Sequence, residues 1–168
     1  MFLAVVIDLF ARNIVGWSMS NRMTEDLAMH AINAAYWRRK PKQQVKLHSD
    51  QGSRYSSRQF RKLLNAYDIK PSMSRRGNCH DNAVAESFFS NLKKEKIRRR
   101  IYPNRAEAKQ AVFHYIEMVY NPTRRHTKND RMSPNNFERE YFRQVEGSRK
   151  VRAYHTSESE SRDSGGVR

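Results

Sequence analysis

Two apolar runs near the start of the chain, Leu3-Ala4-Val5-Val6-Ile7 and Ile14-Val15-Gly16-Trp17-Ser18-Met19, constrain the fold more than any other feature. The first is apolar throughout and rich in β-branched residues, the pattern of a strand covered on both faces. The link from Asp8 to Asn13 sets the second run at hairpin distance, so the two are predicted to be antiparallel neighbours. Helical patterns follow. Leu27, Ala31, Ile32, Ala35 and Tyr36 recur at helical spacing behind Thr24 as cap, and Arg38-Arg39-Lys40-Pro41 stops that helix. Val45 and Leu47 alternate with Lys46 and His48 in a short strand ending at Asp50, and Gly52 opens the loop beyond.

Phe60, Leu63, Leu64 and Tyr67 predict a second helix, capped by Ser56 or Ser57. Ile69 and Met73 bracket Pro71 in an extended piece, where a proline suits an edge strand. Arg75 to Cys79 reads as a loop, and Asp81 is placed to cap a long helix whose apolar face is Ala85, Phe88 and Leu92. A further helix from about Arg105 is expected to bury Val112, Tyr115, Ile116 and Val119, with Tyr120 and Phe113 also core. This order of elements indicates an α/β layered domain. One core is expected over residues 1–146. From Gly147 the composition shifts to Ser, Arg, Glu and Gly, so 147–168 is expected to be a disordered tail.

Charge narrows the function. The 168 residues carry a formal net charge of +16, which self-repulsion makes unfavourable without an anionic partner. With 38% hydrophobic residues the chain is not compositionally disordered, so a folded surface contacting nucleic acid is the leading reading, and a merely well-solvated basic surface the bland one. Lys93, Lys94, Lys96, Arg98, Arg99 and Arg100 crowd one helix end, and Arg38-Arg39-Lys40 and Arg124-Arg125 add further stripes. The helix dipole accounts for one or two such cations, not for six. A lone cysteine, Cys79, excludes an internal disulfide and a paired-cysteine zinc site, and points to a reducing compartment. Asp8 interrupts the initial apolar run, and no later segment approaches the roughly 20 apolar residues of a membrane span. A cytoplasmic protein with no membrane partner is expected.

The chemistry-bearing residues are His48-Ser49-Asp50-Gln51-Gly52-Ser53 and Gly77-Asn78-Cys79-His80-Asp81-Asn82-Ala83-Val84-Ala85-Glu86. Asp50 sits where a strand meets a glycine loop, and Glu86 one turn inside a helix. Carboxylates from two elements that converge repel one another unless a hard cation such as Mg²⁺ lies between them. The bland alternative is that Asp50 caps a turn and Glu86 is a solvated helix residue. Against it, Glu86 and Lys93 are two helical turns apart on one face, with Asn82 a turn earlier. That face offers an acceptor, a cation and an amide, a set suited to metal plus phosphate. His48 reads as a packing residue and Cys79 as incidental.

The segment Leu47 to Lys94 resembles the catalytic core of bacterial insertion-sequence transposases of the retroviral-integrase type. The strings that carry the resemblance are His-Ser-Asp-x-Gly-Ser, then Ser-Met-Ser-Arg at 72 to 75, then Gly-Asn-x-x-Asp-Asn-Ala-Val-Ala-Glu-Ser-Phe-Phe. Tyr120-Asn121, Arg124-Arg125-His126 and Ser133-Pro134 look like the segment closing that core, so the likeness spans about residues 2 to 142. Such cores have a ribonuclease-H-like mixed sheet flanked by helices and an Asp, Asp, Glu triad whose last two acids are separated by thirty-five residues, as Asp50 and Glu86 are here (86 − 50 − 1).

The resemblance implies that Asp50 is the second catalytic acid and Glu86 the third, together holding Mg²⁺ or Mn²⁺, two ions in an intact site. It makes Lys93 the residue that steadies the DNA end and Asn82 a polar DNA contact. DNA, as transposon ends and target, is the implied partner, with self-association or association with an intact transposase. The implied reaction is DNA cleavage and strand transfer by two-metal phosphoryl transfer.

One departure stands out. In the family the first acid lies on a central strand ahead of the hairpin, and the chain starts at that hairpin; Asp8 is at the end of the next strand and does not replace it. The expectation is therefore an N-terminally truncated core, its first strand missing and its edge along Leu3 to Ile7 unpaired. A catalytically inactive DNA-binding fragment that inhibits intact transposase is the alternative function.

Overall fold

The computed structural model describes residues 1–49, 57–73, 83–98 and 100–160. Its elements follow the expected order. Strands β1 (Phe2–Ile7) and β2 (Ile14–Ser20) form an antiparallel pair, with Val5 opposite Trp17 and Val6 opposite Gly16. Helix α1 (Glu25–Arg39) leads to β3 (Val45–Ser49), and α2 (Arg58–Ala66) to β4 (Ile69–Met73), which pairs with β3 in parallel. Helix α3 (Ala83–Leu92) continues into a π-helical turn, Lys93–Ile97. Helix α4 (Arg105–His114) continues likewise through Tyr115–Tyr120 into the short α5 (Asn121–Thr123). The last helix, α6, runs from Pro134 to Glu160, so the change of composition at Gly147 falls inside a helix.

Local chemistry explains the boundaries. Ser57 caps α2, its Oγ accepting from the Phe60 N–H at 3.1 Å. Asn104 and Glu107 form a reciprocal cap on α4, with Glu107 N–H donating to Asn104 Oδ1 at 2.9 Å and Asn104 Nδ2 to Glu107 Oε1 at 3.1 Å. Thr24 takes the cap position of α1 but makes no side-chain cap bond. Lys40, at φ 42°, ends α1 in the left-handed conformation, its N–H returning to the Tyr36 carbonyl.

Two cores lie on opposite faces of the strands. Ile14 packs with Phe88 and Leu92 of α3 and with Val112, Ile116 and Tyr120, and Leu3, Val5 and Ile7 point into that layer. On the other face Ala28 and Ile32 of α1 meet Phe60 and Leu64 of α2, and Val6 and Leu47 point there. Residues of β1 thus alternate between the two layers, as the two-residue period of a strand requires. The pairing slips between Val6 and Ile7, leaving Val15 as an extra residue. That bulge restores parity and lets Ile14 face the same layer as Ile7. Gly16 makes close packing of α1 possible: a Cβ there would lie 2.2 Å from the Ala31 carbonyl oxygen and 2.5 Å from the Ala35 nitrogen.

The sheet is divided at the edge along Leu3 to Ile7 that was expected to be unpaired. Among the described residues there are two separate two-stranded sheets, β1-β2 and β3-β4, rather than one continuous layer. β1 is accordingly only half-buried, not enclosed. Phe113 also departs from expectation: it is 51% exposed, while Tyr115 and Tyr120 are core at 2%.

Candidate active site and nucleic-acid face

A cleft of about 610 Å³ separates the two sheets. β1 contributes Val5, Val6 and Ile7 to its wall, and β3 contributes residues 45–48. Val84 and Ala85, at the start of α3, line it as well. The wall thus includes His48, two positions before Asp50, and the two residues immediately before Glu86. Asp50 itself lies outside the described residues, as do Asn82, Arg99, the Asp81 cap and the Arg75–Cys79 loop. Glu86 is exposed on the first turn of α3 and enters none of the ion pairs among the described residues. An exposed carboxylate outside the ion pairs of the described residues is a suitable hard-oxygen donor for Mg²⁺ or Mn²⁺. Among the described residues no group of three or more His, Cys, Asp or Glu could hold a metal. His48 behaves as a packing residue, its Nδ1 lying 3.3 Å from Ser72 Oγ on the paired strand.

The basic residues divide into two sets. Lys93, Lys94, Arg98, Arg100 and Arg125 are exposed, the first four beyond Glu86, in the π-helical turn that continues α3 and just after it. Arg100 reaches toward Glu107 at 3.9 Å with its side chain 69% exposed, and lies 5.9 Å from the ring centre of Tyr102. The other set is engaged within the fold. Arg124 Nη1 contacts both carboxylate oxygens of Glu95, at 2.5 and 2.6 Å, and Tyr115 Oη donates to Glu95 Oε2 at 3.0 Å. Burial, joined by the hydrogen bond with Glu95, raises the Tyr115 pKa despite the opposing charge of Arg124. Burial works against the charge on Arg124, but the bond to Glu95 and the neighbouring Tyr115 outweigh it, and its pKa is raised.

Arg38 and Arg39 also differ from the phosphate-binding stripe expected of them. Arg38 pairs with Glu117 at 2.8 Å and donates to the Ile14 carbonyl, and Arg39 pairs with Glu138 and with Asp8. The Glu95 cluster was missed in the sequence, although a single acid inside Lys93-Lys94-Glu95-Lys96 was a signal: an acid kept in a basic run has a partner elsewhere.

Comparison with known proteins places this architecture. Two family models, both described as integrase core domain, match residues 1–79 and 86–142. The transposase InsF for insertion sequence IS3A of Escherichia coli (strain K12) is 45% identical over 138 residues, covering 82% of this chain and 48% of that protein. This chain belongs to the integrase-core family of insertion-sequence transposases. The transposase for insertion sequence element IS904 of Lactococcus lactis subsp. lactis (strain IL1403) is 44% identical over 139 residues, 83% of this chain and 55% of the relative. The chain therefore spans about half the length of the curated relatives it matches. Among solved structures, a chain of the simian T-cell lymphotropic virus intasome, determined by cryo-electron microscopy in complex with PP2A regulatory subunit B56 gamma, superposes with a TM-score of 0.57. At 17% identity over 69% of this chain and 42% of the other, the likeness is one of fold, ribonuclease-H-like α/β. No helix among the described residues is long and apolar enough to cross a membrane.

Proposed function

We propose that this chain is catalytic-core polypeptide of an insertion-sequence transposase, acting on transposon-end and target DNA, with Asp50 and Glu86 as its metal-holding acids. The observation that supports the reading most is the convergence at the cleft: the end of β3, two residues short of Asp50, and the start of α3, one residue short of Glu86, line the same wall. Held there, Mg²⁺ or Mn²⁺ supplies activation of water or a 3′ hydroxyl and stabilisation of the leaving oxygen of a phosphodiester. The chain's own share is positioning. Lys93 and Lys94, one and two residues past the end of α3, hold the phosphates next to Glu86, with Arg98, Arg99 and Arg100 extending that track and Asn82 contacting the DNA end. Arg125, and Arg124 where Glu95 releases it, hold the backbone further out. The net charge of +16 brings DNA to this face, with an affinity that falls steeply as salt rises.

The test is nicking and joining of terminal-sequence DNA in Mn²⁺ by the chain and by Asp50→Asn and Glu86→Gln. Products formed by the parent and lost in both variants support the reading. A folded chain that yields no product at any concentration removes catalysis from this chain. The second reading, a DNA-holding module that poisons an intact transposase, is favoured by the high positive charge. It predicts inhibition of full-length enzyme in mixtures, and undiminished activity at excess chain contradicts it.

A further inference from the structure

We propose that Glu95 is a positioning residue for the DNA-binding face: held inward by Arg124 and Tyr115, it fixes the π-helical turn so that Lys93 and Lys94 are presented to DNA phosphates. The inference rests on the assignment of those two lysines to DNA made above, and adds the residue that aims them. Its first support is the charge of Glu95. In Lys93-Lys94-Glu95-Lys96 a carboxylate stands inside a cationic run, where it repels phosphate and lowers the local positive charge. A surface that only gathered DNA is better without it.

Its second support is the place of Glu95 in the helix. Phe88 and Leu92 are buried on the inward face of α3. Glu95, three residues on, continues that face at a spacing where an apolar residue is usual. The carboxylate there meets Arg124 Nη1 at 2.5 and 2.6 Å and accepts from the buried Tyr115 at 3.0 Å. Both partners belong to the segment that leaves α4, Tyr115 at the start of its π-helical stretch and Arg124 just after α5. The turn is therefore tied to a different part of the core. Two residues along a helix make roughly half a turn, so an inward Glu95 sets Lys93 on the outside. Lys93 and Lys94 are indeed exposed, while Lys96 is half-buried. The backbone is held at the same place: the Arg98 N–H donates to the Lys93 carbonyl at 2.8 Å, and Tyr102 Oη donates to the Lys96 carbonyl at 3.2 Å. π-Helical turns occur mostly at functional sites, and this one is fixed by side chains from outside its helix. A lysine ammonium on a flexible stem is directed only as well as the backbone that carries it.

The test reads each lysine separately and needs no turnover. The full chain and Glu95→Gln are acetylated at lysine with and without a short DNA duplex of arbitrary sequence, in EDTA and low salt, with the duplex saturating by fluorescence anisotropy. Peptide mass spectrometry gives the protection of each lysine by DNA. In the parent, Lys93 and Lys94 are expected to be protected about tenfold, and in Glu95→Gln less than about twofold, with protection of the other lysines unchanged. Charge alone predicts the opposite, because removing an acid raises the net positive charge and binds DNA as tightly or more tightly. A thermal melt checks that the variant is folded. If it is not, Tyr115→Phe replaces it, removing one bond to Glu95 without leaving a charge unpaired, and protection at Lys93 and Lys94 is expected to fall at least about twofold.

Undiminished protection of Lys93 and Lys94 in the folded variant overturns the proposal and makes the Glu95 cluster a purely structural tie, with the DNA assignment of the lysines intact. An equal fall at every protected lysine is weaker binding rather than lost aim, and overturns it as well. Absence of protection at Lys93 and Lys94 in the parent removes the DNA assignment itself, and this inference with it.

Discussion

The side chain of Asn121 holds both backbone polar groups of Ile14: its Oδ1 accepts from the Ile14 N–H at 2.9 Å, and its Nδ2 donates to the Ile14 carbonyl at 3.0 Å. Both residues are buried, and the contact ties the end of the α4 segment to the bulged start of β2. The carbonyl also receives Arg38 at 3.3 Å, whereas the N–H donates to Asn121. Asn121→Ala is therefore expected to cost about 2 kcal/mol, the desolvation of one buried donor plus lost packing. Asn121→Asp restores the acceptor but sets an oxygen against a carbonyl, and recovers little. Urea unfolding of the two variants measures this; a loss below about 0.5 kcal/mol in the alanine variant contradicts it.

Gly16 has a similar long-range role. Its missing Cβ is the space in which α1 lies against β2, and the obstructing atoms, two backbone atoms and the Ala35 Cβ, cannot rotate away. Gly16→Ala is expected to destabilise by at least about 3 kcal/mol, the upper range for overpacking, because helix and strand have to separate. Denaturant unfolding reads the loss directly, and a near-neutral variant shows that the helix packs elsewhere.

Much of this architecture was legible in the sequence, and the exceptions share a cause. Strands, helices and their order follow from short-range periodicity: Phe60, Leu63 and Leu64 sit on one helix face, and Val5 and Val6 point to opposite layers. Pro71 was correctly read as compatible with a sheet margin, since among the described residues β4 pairs with β3 alone. The edge along Leu3 to Ile7 was legible, and the division between the two sheets lies at it, whereas the cleft walls supplied by α1 and α3 were not legible. Nor were the π-helical turns at Lys93–Ile97 and Tyr115–Tyr120, which a 3.6-residue pattern does not distinguish. The Glu95–Arg124 pair joins residues 29 apart along the chain, beyond any local rule. Of the candidate site, the string around Glu86 gave its place at the first turn of α3, while Asp50, Asn82 and Arg99 lie outside the described residues.

Arg124 and Arg125 are adjacent in sequence and expected to behave differently. Arg124 is held by Glu95 in a partly buried pair, so Arg124→Gln is expected to lower stability by about 2 kcal/mol, less than for a fully buried pair. Arg125 is exposed, and Arg125→Gln is expected to leave stability unchanged while reducing the slope of log affinity for DNA against log salt by about 0.9. Thermal melts and salt titrations of both variants separate the roles; equal slopes and equal melting points contradict the assignment.

His126 carries the pH dependence. Burial, then the charges of Arg124 and Arg12, push its pKa below the ordinary imidazole value, and its ring stands edge-on to Tyr120 at 5.1 Å. The unfolded chain thus takes up the proton first, at about pH 6.5, so stability rises with pH across the window below it. The neutral ring's contribution is complete above about pH 6.5 and lost as pH falls toward the depressed folded pKa. In His126→Phe that loss is absent: the stability of parent minus variant is expected to shrink between pH 7 and pH 5. A difference constant across that range contradicts it.

The central claim, that Asp50 and Glu86 share one metal-holding site at the cleft, is tested most directly by titrating Mn²⁺ into the chain and following free Mn²⁺ by electron paramagnetic resonance. The account predicts saturable Mn²⁺ uptake that is lost in Asp50→Asn and in Glu86→Gln alike and retained in the exposed control Glu146→Gln. Identical titrations in all four proteins, or loss in only one of the two acid variants, contradict it.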